Sequence, residues 1–317
     1  MRHAEMSLRQ RLASFSPDRE TVLTIGVFDG VHLGHQHLLQ QLIQLAQPDR
    51  LPAVITFTNH PITVLRPGTQ VRYITTPEQR TRLLKAQGIP LVVGLEFTAE
   101  DSQVTARDFA ALLVETLGMK GLVMGPGAAV GQNREGDINY LRQLGPQFGF
   151  WVEEAQPLVL DGSPVQSRRI REAIAWGEVA AGARLLGRTF SLTGKVVVGD
   201  RRGRDLGFPT ANLDIAPEMI IPGDGIYATW AIIDGVRHPS ATSIGVRPTF
   251  GPGERLVEAY VMDFDADLYG SRLCIEFVRK LRDQENFSSV DSLVDQINRD
   301  VTDSRLALAA DGGPHAS

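Results

Sequence analysis

Two short stretches of this 317-residue chain concentrate the glycines and side chains that handle phosphate. The first is Gly26-Val27-Phe28-Asp29-Gly30-Val31-His32-Leu33-Gly34-His35, where three glycines let backbone approach a bulky anion. Its histidines, His32 and His35, share one face of a helical first turn, so two imidazoles and the N–H groups of a helix start would converge on a polyphosphate. The second stretch is Gly199-Asp200-Arg201-Arg202-Gly203-Arg204-Asp205-Leu206-Gly207-Phe208-Pro209-Thr210-Ala211-Asn212-Leu213, read as one long connection. Its glycines suit a phosphate cradle, and Thr210 and Asn212 can turn a hydroxyl and a carbonyl oxygen towards a hard cation such as Mg²⁺. A third feature stands alone. In the alternating run Leu256–Met262, Glu258 shares a face with Leu256, Tyr260 and Met262, while Val257, Ala259 and Val261 take the other. Burial in such an apolar row would raise the Glu258 pKa towards that of a useful general base.

The elements that must position these residues fall into two textures. From Thr21 to about Phe150, short apolar runs alternate with helical patterns: Val22–Val27, then Leu38, Leu39, Leu42, Ile43 and Leu45, then Ala53–Phe57, Leu91–Val93, a helix around Asp108 to Leu117, and Gly121–Met124. That alternation predicts an α/β domain with a doubly wound, Rossmann-like parallel sheet, and it puts the His32 motif at the strand-to-helix edge where open sheets bind ligands. Beyond Trp176-Gly177 the sequence becomes β-rich, with expected strands at Leu192–Val198, Ile226–Asp234, Ala241–Ile244, Leu256–Met262 and Leu273–Val278 and a tight hairpin at Asp234-Gly235. A small antiparallel β-barrel follows. Ser288 with Asp291 predicts a capping box for a last helix, whose Val290, Leu293, Val294, Ile297 and Val301 would face the barrel. The expected organisation is a lead-in over 1–20, domains over 21–183 and 184–305, and a flexible tail over 306–317.

Composition narrows the function classes. A formal charge of −5 supplies no broad positive field for nucleic acid. The single cysteine, Cys274, excludes an internal disulfide and fits the cytoplasm, and neither an export signal nor a membrane-length apolar run is found. Oligomeric state is not legible.

Two resemblances give the motifs a shared meaning. From about Val22 to Leu186 the chain resembles the FAD synthetase module of the prokaryotic bifunctional riboflavin kinase/FAD synthetases, a nucleotidyltransferase. The resemblance implies that Gly26, Phe28, Asp29, Gly30, His32, Gly34 and His35 hold ATP, with the two histidines in the catalytic role. Ser167-Arg168-Arg169-Ile170-Arg171 matches that family's Ser-Thr-Arg-Ile-Arg motif, implying that Ser167, Arg169 and Arg171 grip phosphate, and His60 falls on its second histidine segment, towards the flavin. Two departures stand out: Gly125-Pro126-Gly127-Ala128-Ala129-Val130-Gly131 replaces Gly-x-Asp-Phe-x-Phe-Gly, and Arg168 replaces a hydroxyl residue.

From about Leu186 to Val301 the chain is similar to riboflavin kinases, through the Pro209-Thr210-Ala211-Asn212 stretch, Gly225-Ile226-Tyr227-Ala228, Arg247-Pro248-Thr249, Glu258, and Arg282 with Phe287. That implies a nucleotide site of Gly199, Gly203, Arg204, Gly207, Pro209, Thr210 and Asn212, with Mg²⁺ on Thr210 and Asn212 and ATP as co-substrate. Glu258 becomes the catalytic base, and Tyr227, Arg247, Glu258, Arg282 and Phe287 the flavin contacts. The expected partners are riboflavin, FMN, FAD and ATP. Two readings remain open here: riboflavin phosphorylation followed by FMN adenylylation, or a riboflavin kinase whose N-terminal domain only binds nucleotide or packs.

Overall fold

The computed structural model describes residues 6–199, 203, 206–246 and 255–312. The chain divides into two compact units, Met1–Ser167 and Arg168–Ser317, N-terminal to the boundary expected at 183/184.

In the first unit, β1 (Thr21–Ile25), β2 (Leu51–Phe57), β3 (Leu91–Leu95), β4 (Met119–Met124) and β5 (Trp151–Glu154) form one parallel sheet in the order β3-β2-β1-β4-β5. Successive residues of a strand point to opposite faces, and here both faces are buried. Leu23, Ile55 and Leu122 enter one core with Leu12 of α1 (Leu8–Ala13), Leu113 of α5 (Ala106–Leu117) and Leu141 of α6 (Ile138–Phe148). Val22, Val54 and Val123 enter the other with Leu39 and Leu42 of α2 (Leu33–Ala46) and Leu84 of α4 (Pro77–Ala86). This is the doubly wound arrangement expected. The sheet order reverses direction at β1, so the loop after β1 opens at the switch point. Within the expected lead-in, α1 is a capped helix whose Leu12 is fully buried. A short helix α3 (Pro61–Leu65) follows β2, and a small hairpin of β6 (Val159–Leu160) and β7 (Ser163–Pro164) precedes α7 (Ser167–Ala175).

In the second unit, α8 (Val179–Leu186) packs on a closed antiparallel barrel. Its strands are β8 (Phe190–Val197), β9 (Thr210–Asp214), β10 (Gly225–Ile233), β11 (Val236–Val246), β12 (Arg255–Val261) and β13 (Arg272–Arg282), in the cyclic order β10-β11-β12-β9-β8-β13. Asp234 and Gly235 both take positive φ, 49° and 81°, as a two-residue hairpin needs, and Ile233 pairs with Val236.

The barrel corrects several expectations. Thr210–Asp214 is a strand rather than part of a connection; its Asn and Asp are poor strand formers, and only partners on both sides, β8 and β12, hold it extended. The last helix, α9 (Val290–Ala310), is capped by Ser289 with Ser292, one residue beyond the expected box. Its buried residues are Asp300, Ser304 and Leu308, whereas Val290 is exposed. Leu308 packs with Ala228 and Trp230, so 306–310 belong to the helix and not to a tail.

Candidate functional site

The loop after β1 is strained. Gly26 N–H continues the sheet by donating to Ile55 O (3.0 Å), after which Phe28, Gly30 and Val31 all take positive φ (53°, 83° and 40°). That conformation is costly for a β-branched valine and persists only where surrounding structure imposes it. The imposing contact is Asp29. Its buried carboxylate accepts from Ile74 N (2.9 Å), Thr75 N (3.1 Å) and Thr75 Oγ1 (3.3 Å), while Gly30 N donates to Thr75 Oγ1 (3.0 Å). Asp29 is therefore an anchor of the loop.

His32 caps α2, its Nδ1 accepting from His35 N (3.2 Å), and the two rings stack at 3.6 Å. A neutral His32 consequently carries its proton on Nε2. Burial, then His32, then Arg80 push the His35 pKa well below its ordinary value of 6.5, and the enclosed His35 Nδ1 has no hydrogen-bond partner among the described residues. Gly34 admits no side chain, because a Cβ there would lie 2.6 Å from Val165 O and 3.1 Å from the His32 ring. Ser167 Oγ donates to Asp29 O (2.9 Å), so the serine of the downstream motif joins the histidine loop. Arg168 is 83% exposed and pairs with Glu172 on its own helix (2.8 Å), whereas Arg169 and Arg171 are half-buried.

Beside this loop lies a cavity of about 700 Å³, lined by Gly26 and Val27, by Phe57, Phe97, Phe109, Ile62, Leu65 and Met124, and by His60, Asn133 and Arg134. Apolar and aromatic walls with a few polar groups suit a planar ring system. His60 caps α3 through Nδ1, which accepts from Ile62 N (3.2 Å). The Asn59 side-chain amide is locked to the Phe97 backbone, Nδ2 donating to Phe97 O and Oδ1 accepting from Phe97 N (2.8 Å each). Ala128, Ala129 and Val130 also line the cavity, and a Cβ at Gly127 (φ 67°) would meet nothing within 4 Å.

In the barrel, pairing register does the assembling. Across β9 and β12, Asn212 stands opposite Glu258 and Thr210 opposite Tyr260, and directly opposed residues share a face. Thr210, Asn212, Glu258 and Tyr260 thus form one patch, while Ala211, Leu213, Val257, Ala259 and Val261 fill the buried side. Asn212 is only 8% exposed. Gly199 lies against it, since a Cβ there would come within 2.3 Å of Asn212 Nδ2. Gly203 accepts from Phe208 N (2.7 Å), Gly207 turns at φ 86°, and Phe208 meets Tyr260 edge-on at 5.4 Å. Pro209 and Thr210 border a cavity of about 460 Å³ with Asp265, Asp267 and Tyr269. The expected buried carboxylate is not found: Glu258 is half-buried, because its row faces out of the barrel and the alternate row faces in.

Two expected flavin contacts have other neighbours. Tyr227 is fully buried, meets Phe277 edge-on at 5.5 Å and donates its hydroxyl to Gly223 O; burial pushes its pKa up to about 12. Its face of β10 is turned into the barrel interior. Arg282 forks onto Asp300 of α9 (2.8 and 2.7 Å), a pairing that raises its pKa, and lies 5.8 Å from the centre of the Phe287 ring. It ties the last helix to the barrel, with Phe287 half-buried beside it. Arg204 and Arg247 lie outside the described residues. One residue at the histidine loop escaped sequence reasoning: Arg80, whose only signal is a charge four positions before Leu84 on the inward stripe of α4.

Comparison with known proteins covers both units. A family model described as FAD synthetase matches residues 14–169, and one described as riboflavin kinase matches 186–308. The chain is 37% identical over 309 residues to a bifunctional riboflavin kinase/FMN adenylyltransferase of Pseudomonas fluorescens, covering 96% of this chain and 98% of that one. It is 34% identical over 295 residues to the protein of the same name from Escherichia coli strain K12, covering 92% and 94%. A solved structure from Streptococcus pneumoniae, described as a macrolide-efflux protein, superposes with a TM-score of 0.86 at 31% identity, covering 93% of this chain and 96% of that one. Among the described residues, no helix is long and apolar enough to cross a membrane.

Proposed function

The chain belongs to the bifunctional riboflavin kinase/FMN adenylyltransferase family, and from that premise we propose how its two units divide the work. The second unit phosphorylates riboflavin with ATP, giving FMN and ADP. The first transfers the adenylyl group of another ATP to FMN, giving FAD and pyrophosphate.

The observation that carries the kinase reading is the register of β9 and β12, which sets Asn212 opposite Glu258 with Thr210 two residues along the same face. A hydroxyl, an amide oxygen and a carboxylate form an all-oxygen donor set, and the missing side chain of Gly199 leaves the room that the Asn212 amide occupies. These residues fit Mg²⁺ brought in with ATP, held by Thr210 and Asn212. When bound, the ion would neutralise and orient the terminal phosphates. Gly199, Gly203 and Gly207 keep the backbone close to those phosphates. Glu258 accepts the proton of the riboflavin 5′-hydroxyl while its oxygen attacks the γ-phosphorus and the bond to the bridging oxygen of ADP breaks. Phe287 and Tyr260 offer the flavin its ring contacts.

In the first unit, the cavity of about 700 Å³ takes the flavin ring, with His60 at its wall. A phosphate oxygen of FMN attacks the α-phosphorus of ATP and pyrophosphate departs. His32, His35 and the start of α2 hold the triphosphate, and Ser167, Arg169 and Arg171 add donors. Both reactions consume ATP, which supports a cytoplasmic setting.

One assay tests the proposal. Purified protein is incubated with riboflavin, ATP and Mg²⁺, with FMN supplied in place of riboflavin in parallel, and FMN and FAD are resolved. FMN formation without FAD in either arm overturns the first unit's role, and absence of both products overturns the whole.

A further inference from the structure

Arg80 is among the most completely buried large side chains of the molecule, 1% exposed, although it carries a charge. A cation is rarely placed so deep unless its charge is matched or used, because desolvation costs several kcal/mol. Here it is only partly matched. Nη1 donates to Phe57 O (2.5 Å) and Nη2 to Thr75 O (3.4 Å), the guanidinium carbon sits 5.7 Å from the centre of the Tyr73 ring, and Nε has no partner among the described residues. Asp29, Tyr73 and Glu78 attract it, yet the Asp29 carboxylate also accepts from Ile74 N and Thr75 N.

The partners place Arg80 at a junction. Phe57 ends β2 and leads through Thr58-Asn59 to His60, while Thr75 is the anchor of Asp29 and Gly30 in the histidine loop. One side chain from α4 thereby joins the two segments that carry His32, His35 and His60. We propose that Arg80 is a positioning residue for adenylyl transfer: a permanently charged strut that fixes the His32–His35 loop against the end of β2 and lends positive charge to the phosphates docking there. The inference rests on the adenylyltransferase reading of the first unit.

Arg80, Asp29 and His32 are all buried, and in so poorly solvated a site Coulomb interactions are strong. His35 registers the charge: the groups that lower its pKa, after burial itself, are His32 at the cap of α2 and Arg80 of α4, and Arg80 in turn feels Asp29, Tyr73 and Glu78. Leu or Met at this position would pack without desolvation cost, so packing alone does not call for a guanidinium.

Two variants separate a strut from a filler. Arg80→Met removes the charge and keeps the bulk; Arg80→Lys keeps the charge with a single point donor. Each is assayed for FMN adenylylation, with riboflavin phosphorylation in the same sample as control, and the His35 ring is titrated by NMR. Arg80→Met is expected to lower adenylyl-transfer kcat about tenfold, below the 10²–10³ typical of a donor in direct contact. It should also move the His35 titration to higher pH and leave the kinase rate unchanged. Arg80→Lys should keep both the His35 titration and most of kcat. Unchanged kcat in Arg80→Met, an unmoved His35 titration, or equal losses in the two variants overturns the proposal. If Arg80→Met fails to fold, Arg80→Lys decides, and a shifted His35 titration in it refutes the charge role. A wild-type protein unable to turn FMN into FAD would refute the first unit's assigned reaction, while the His35 titrations would still test the strut.

Discussion

Replacing Gly199 by alanine should disable riboflavin phosphorylation without disturbing the fold. A Cβ at 199 would lie 2.3 Å from Asn212 Nδ2, 2.5 Å from Cγ and 2.7 Å from Oδ1, whereas ordinary contact begins near 3.4 Å. The Asn212 amide must then retreat by about 1 Å, and a displacement of that size in a positioned group costs about 10²-fold in rate. That corresponds to about 2.7 kcal/mol in the activation barrier. Gly199 has no left-handed φ, so the effect is steric and not a matter of backbone strain. The assay is FMN formation from riboflavin at varied Mg²⁺, with adenylylation of supplied FMN as an internal standard. Asn212→Ala and the double variant complete a cycle: if Gly199→Ala acts through Asn212, the double variant is no worse than Asn212→Ala alone. A Gly199→Ala rate within twofold of wild type, or losses that multiply in the double variant, refutes the reasoning.

Other expectations follow from the same geometry. Glu258→Gln keeps the shape but removes the base, so kinase turnover should fall by about 10², the low end for general bases because phosphoryl transfer leans on positioning and metal; wild-type turnover would exclude the base role. Tyr227→Phe deletes the bond to Gly223 O and should cost about 1 kcal/mol in urea unfolding while leaving the riboflavin KM unchanged, whereas a raised KM would restore Tyr227 to the flavin site. His35 should also make stability depend on pH. Its folded pKa is depressed, so the unfolded chain takes up the proton first; the contribution is complete above 6.5 and declines as pH falls below that value. Replacing His35 by asparagine should flatten that slope in denaturation measured between pH 7 and 5.

Much of this site could be read along the chain because its signals are local. The strand, glycine turn and helix start that carry His32 and His35 occupy consecutive residues, and Asp234-Gly235 needs no distant partner to turn. The misreadings arose where a distant contact decides. Thr210–Asp214 is extended only because β8 and β12 flank it, and α9 buries Asp300, Ser304 and Leu308 because Arg282 and Trp230 sit where they do.

Apolar periodicity and turn residues therefore determined two units, a parallel α/β sheet and an antiparallel barrel, together with the loops on which phosphate chemistry would fall. Tertiary structure decided the assignment of side chains within them: Asp29 to an anchor 45 residues away, Tyr227 to the barrel interior, Arg282 to Asp300, and Arg80 to the histidine loop. The physical reason is range. Propensity and periodicity act between neighbours a few residues apart, while burial and strand register are settled by whatever the folded chain brings alongside, and it is register that sets Asn212 against Glu258.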